Sequence, residues 1–108
     1  MSRYNLYFND ILRAINRIEK SVNDKSLEEF SSDENLIDAT AMRLQIIGES
    51  LKKIPSNLKE NKEINWKSLE KLRDLISHAY FQVNPALLFS IINNNLIKLK
   101  IEIKEKIK

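Results

Sequence analysis

Residues 33–55 read DENLIDATAMRLQIIGESLKKIP, and this stretch decides the fold. Ile37, Ala41, Leu44, Ile47, Leu51 and Ile54 recur at spacings of three and four, the period of one apolar face on an α-helix. The spacing predicts a helix from about Asp33 to Lys53, stopped by Pro55. Gly48, the only glycine in the chain, lies inside it. Glycine within a helix costs about 1 kcal/mol relative to alanine, so its use here predicts a close helix approach or a neighbouring site that needs the missing Cβ.

The same period continues on both sides. Tyr7, Ile11, Ala14, Ile18 and Val22 predict a first helix from about Tyr4 to Val22, broken at Asn23-Asp24-Lys25. Ser26 and Glu29 form a capping-box pattern that opens a short turn of helix, Leu27 to Phe30, lidding the core. Residues 56–64 are polar and loop-like. Asn65 is a good N-cap for a third long helix carrying Trp66, Leu69, Leu72, Leu75 or Ile76, and Ala79, ending around Tyr80 to Gln82. Asn84-Pro85 starts a fourth, with Leu88, Ile92, Leu96, Leu99, Ile103 and Ile107 facing inward. The expected fold is all-α: an antiparallel four-helix bundle with one short extra helix, a single domain over residues 1–108. Leu87, Phe89 and Ile91 make the fourth helix apolar on more than one side, which predicts a homodimer.

Composition narrows the classes. One glycine and two prolines are too few for a strand-and-turn protein, and the absence of cysteine excludes a disulfide scaffold, a Cys-based zinc site and a thiol nucleophile. A single histidine, His78, argues against a His-cluster metal site within one chain. Apolar runs of four or five residues are too short for a bilayer, and the N-terminus lacks a signal-peptide core, so the expectation is a cytoplasmic protein. The net charge of +3 comes entirely from residues 97–108, since residues 1–96 carry thirteen basic and thirteen acidic side chains. That tail reads first as a solvated helix face.

Chemistry concentrates in one segment, Leu72-Arg73-Asp74-Leu75-Ile76-Ser77-His78-Ala79-Tyr80-Phe81. A guanidinium can hold charge building on a phosphoryl oxygen, and an imidazole can take or give a proton near neutral pH. RNA brings its own 2′-hydroxyl nucleophile, so a minimal base-plus-cation pair can suffice to cut it. Five residues, however, separate Arg73 from His78 by about 140° around a regular helix. Either the helix unwinds near Ser77, or a cleft between two subunits pools residues from both. The blander alternatives are a His78 that only caps its helix, with Arg73 and Asp74 as surface charges.

The string Arg73-Asp74-Leu75-Ile76-Ser77-His78-Ala79-Tyr80-Phe81, with Trp66 before it and Val83 after, resembles the HepT-like ribonuclease toxins of the HEPN superfamily. Tyr7-Phe8-Asn9-Asp10-Ile11-Leu12, Ser26-Leu27-Glu28-Glu29-Phe30 and Arg43-Leu44-Gln45-Ile46-Ile47-Gly48-Glu49 are similar to other parts of that family, so the resemblance covers nearly the whole chain. Ser77 stands where the family more often has an aliphatic residue. The resemblance implies a homodimeric, metal-independent endoribonuclease toxin without a cofactor, in which Arg73 and His78 of both subunits line a cleft. Asp74 and Ser77 would support them. It further implies a nucleotidyltransferase (MNT-type) antitoxin as partner, which transfers AMP to Tyr80. The other reading is a non-catalytic helical dimer that docks a nucleotidyltransferase and binds nucleotide.

Overall fold

The computed structural model describes residues 3–79 and 82–107. Those residues are helical throughout their regular elements: α1 (Asn5–Val22), α2 (Leu27–Ser31), α3 (Glu34–Lys52), α4 (Trp66–Glu70), α5 (Leu72–Ala79), α6 (Pro85–Asn94) and α7 (Leu96–Ile107), with a 3₁₀ turn at Ser56–Leu58. Local chemistry sets the starts. The amide of Glu29 donates to Ser26 Oγ at 3.0 Å while that of Ser26 donates to Glu29 Oε1 at 2.9 Å, both arms of the capping box. Asp33, Asn65 and Asn84 each accept from an amide two or three residues on, capping α3, α4 and α6. Between α1 and α2 the chain reverses through Asp24 at φ 63°, a left-handed conformation that aspartate tolerates.

Two of the helices expected from the pattern are each interrupted at one residue. Lys71 separates α4 from α5, and Asn95 separates α6 from α7. Hydrogen bonds nonetheless run through both joints: Lys71 N–H donates to Lys67 O and Leu75 N–H to Lys71 O, and Asn95 N–H donates to Ile91 O and Leu99 N–H to Asn95 O. The apolar period therefore passes through each joint unbroken, which is why spacing alone reads one helix where there are two.

The core follows the helix stripes with small changes of phase. Phe8 and Leu36 are buried while their neighbours Tyr7 and Ile37 are only half covered, and Ile76 rather than Leu75 turns inward. Phe30 is fully covered and stacks obliquely on Phe89, ring centroids 5.4 Å apart, so α2 does close one end of the core. Helix α3 lies at the centre, packed against α1 on one side and α4 and α5 on the other, and α7 packs on α1. Trp66 is buried and donates from Nε1 to Asn61 O at 3.0 Å, a packing role with its one polar atom satisfied.

No helix among the described residues is long and apolar enough to cross a membrane. Several large apolar side chains remain on the outside, among them Leu6, Met42, Ile97 and Ile101, each more than half exposed.

Candidate functional site

Helix α5 carries Arg73, Asp74, Ser77 and His78, and the seat of its first turn is set by Gly48. A Cβ built on Gly48 would lie 3.0 Å from Arg73 N, 3.0 Å from Leu69 O and 3.3 Å from Glu70 O. All three neighbours are backbone atoms of α4 and α5, so a side chain at this position would require the α4–α5 joint to give by a few tenths of an ångström, and glycine spares it that shift. The close approach expected of Gly48 is thus present, and it falls at the residue that carries the guanidinium. Buried Leu72 and Ile76 fix the rotation of α5 on the core, which leaves Arg73, Asp74, Ser77 and His78 exposed.

A chain of charges links α5 back to α3. Arg73 Nε lies 3.8 Å from Glu49 Oε2, and Arg73 Nη1 lies 3.4 Å from Asp74 Oδ1. The other carboxylate oxygen of Asp74 accepts from Lys52 Nζ at 2.8 Å. That bond to Lys52, with further help from Arg73, holds the Asp74 carboxyl below its ordinary titration range. Among the described residues Asp74 thus meets Arg73 and Lys52 rather than His78. Glu49 and Lys52 are partners that sequence spacing did not indicate, because they meet α5 only through the packing of α3.

His78 stands apart from this network. Helix α5 continues regularly to Ala79, so the backbone does not unwind at Ser77, and the first of the two routes to joining Arg73 with His78 is closed. Over five residues the two side chains diverge by about 140° and are separated by about 7.5 Å along the axis. Ser77 Oγ donates to the backbone carbonyl of Asp74 at 3.5 Å, a weak bond to its own helix. Tyr80 and Phe81 lie outside the described residues, immediately beyond α5. Among the described residues no group of three or more histidine, aspartate or glutamate side chains converges as a metal ion would require.

Comparison with known proteins places this geometry in context. The pattern of a family described as "Ribonuclease HepT-like" matches residues 11–106. A protein of Thermococcus cleftensis named "Probable ribonuclease HepT" is 35% identical over 95 residues, covering 87% of this chain and 86% of its own length. A "Gamma-glutamylcyclotransferase and putative RNase" of Methanocaldococcus jannaschii is 35% identical over 99 residues, 91% of this chain. The match spans only 45% of that longer protein. A "Putative RNase" of Caldanaerobacter subterraneus is 31% identical over 100 residues, covering 92% of this chain and 89% of its own. No solved structure matches the chain significantly.

Proposed function

Because the chain belongs to the ribonuclease HepT-like family, we propose that it is the toxin of a toxin–antitoxin pair and cleaves RNA, without a metal, through Arg73 and His78 supplied by two copies of the chain. The observation that carries this reading is the layout of α5. It bears a guanidinium and the only imidazole of the sequence, both exposed, on a short helix whose first turn is clamped against Gly48. Within one copy the two groups point apart. A twofold pairing across α5 sets Arg73 of one copy against His78 of the other. The helices are taken to form an antiparallel bundle, and the homodimer to be the active unit.

In that cleft the imidazole takes the proton of a ribose 2′-hydroxyl. The O2′–P bond forms, the P–O5′ bond breaks, and the departing 5′-oxygen receives a proton from the second, protonated imidazole. The products are a 2′,3′-cyclic phosphate and a 5′-hydroxyl end. Arg73 holds the charge that gathers on the non-bridging oxygens, and Asp74 keeps the guanidinium in place.

A neighbouring nucleotidyltransferase acts as antitoxin by transferring AMP from ATP to the Tyr80 hydroxyl, with release of pyrophosphate. The added phosphate competes with the RNA backbone for Arg73. Tyr80 suits that control because it follows the last residue of α5, two positions after His78 in the sequence.

The test is RNA cleavage by purified protein in the presence of chelator, before and after incubation with ATP and the nucleotidyltransferase. Cleavage that disappears as Tyr80 gains AMP supports the whole reading. Protein that binds the transferase or nucleotide and never cuts RNA points instead to the non-catalytic docking dimer.

A further inference from the structure

Among the described residues, arginines without an ion-pair partner gather away from the stretch where the sequence has its basic excess. In the C-terminal helix Lys100 pairs with Glu19 at 2.6 Å and Lys106 with Glu102 at 3.5 Å, while Lys98 and Lys104 are exposed and join none of the ion pairs of the described residues. Between α1 and α3, by contrast, a groove of about 290 Å³ is lined by Arg13, Arg17 and Arg43, with Ala14 and Ile46 as its apolar part and Asp10 as its one carboxylate. Arg13 and Arg17 also line a wider trough that continues along α1 to Lys20. At spacings of four and three these three cations share one helix face. None of them, nor Arg43, joins the ion pairs of the described residues.

Arg43 is held in place. Its Nη1 donates to Ser21 Oγ at 3.0 Å and to Arg17 O at 3.4 Å, tying α3 to α1 across the groove. A guanidinium has five N–H donors, so most of its capacity remains after these bonds. Three arginines around one carboxylate repel one another, and an anion that bridges them removes that repulsion. The groove also leads towards α5. Ile46 and Glu49 are three residues apart on α3, about 4.5 Å along the axis, and Glu49 is the residue paired with Arg73.

We infer that this arginine groove is a second subsite for RNA, taking the phosphodiester backbone of the strand whose cleaved phosphate sits at Arg73. The inference rests on the reading of RNA as substrate, and it adds where the strand runs after leaving the cleft. Ala14 and Ile46 supply an apolar floor for sugar or base, and the arginines hold phosphates on either side.

The experiment uses a labelled single-stranded RNA of about twelve nucleotides, 2′-O-methylated throughout, so that binding is read without cleavage. Fluorescence anisotropy against salt compares the natural protein with Arg13→Gln/Arg17→Gln and with Lys98→Gln/Lys104→Gln, which removes equal charge from exposed sites on α7. The groove variant should bind at least tenfold more weakly and lose about 1.4 from the slope of log affinity against log salt, two phosphate contacts at about 0.7 each. The α7 variant should change by less than twofold.

Equal losses in the two variants would reduce the groove to general charge and overturn the inference. So would undiminished binding by the groove variant, or sedimentation showing that this variant separates two copies of the chain while each copy still binds RNA fully. Natural protein that cleaves unmodified RNA beside a groove variant of undiminished affinity sinks the groove alone. Groove-dependent binding without any cleavage sinks the nuclease reading alone.

Discussion

Gly48 and Arg73 face each other so closely that a Cβ on the glycine would stand 3.0 Å from the arginine's amide nitrogen. The contact joins two features that look unrelated in sequence, a glycine in the middle of α3 and a guanidinium at the start of α5. It makes the position of Arg73 a property of helix packing rather than of a loop, and rigid elements hold chemical groups better than loops do.

Replacing Gly48 with alanine should therefore destabilise the protein despite alanine's better helix propensity. Overpacking against backbone costs about 1–3 kcal/mol, and the propensity gain returns about 1. A net loss of about 1 kcal/mol is expected in urea unfolding, with the Arg73 amide among the resonances that shift most. An alanine variant more stable than the natural chain would show that the joint yields easily.

Both His78→Ala and Arg73→Ala should abolish most RNA cleavage while leaving the fold intact. Each side chain is exposed, so the change in unfolding free energy should stay within about 0.5 kcal/mol. Loss of an acid–base group lowers the rate by about 10²–10⁴. Cleavage assays and circular dichroism on the same preparations check this, and full activity in either variant would remove that residue from the mechanism.

If Arg73 binds RNA phosphate as proposed, weakening the hold of Glu49 on Arg73 should tighten that binding. In the proposed site a substrate phosphate would displace this carboxylate, which lies 3.8 Å from the guanidinium in an exposed pair. Such pairs are worth about 0–1 kcal/mol, so Glu49→Gln should tighten RNA binding by no more than about fivefold. Weaker binding in the variant would mean that Glu49 positions Arg73 and does not compete for it.

The Asp74 carboxyl should titrate below the usual aspartate range, because Lys52 donates to its ionised form. A depressed folded-state value gives stability that is present above the unfolded value and lost as pH falls through the folded one, so the effect is confined to acid conditions. Carboxyl NMR should show an upward move of the midpoint in Lys52→Ala. An unmoved midpoint would mean that the bond to Lys52 does not persist in solution.

The periodic elements were legible because each depends on neighbours three and four residues away. The capping box at Ser26 and Glu29, the caps at Asp33, Asn65 and Asn84, and the buried stripes of α1 and α3 are all of this kind. The interruptions at Lys71 and Asn95 escaped, since neither residue is a helix breaker and the apolar period runs through both. In the candidate site, residue types and their order along α5 were readable, as was the divergence of Arg73 from His78. The role of Asp74 was readable only as support for one of the two.

Sequence by itself determined that the chain is helical, where its main helices begin, and that its one arginine–histidine segment carries groups suited to phosphodiester chemistry. Those properties follow from hydrogen bonds and side-chain spacing within a few residues. Only the tertiary structure decided that Gly48 seats Arg73, that Glu49 and Lys52 from α3 meet Arg73 and Asp74 respectively, and that Arg13, Arg17 and Arg43 gather in one groove. Each of those meetings spans more than twenty residues of chain, and it exists because burial of the apolar stripes fixes how the helices rotate against one another.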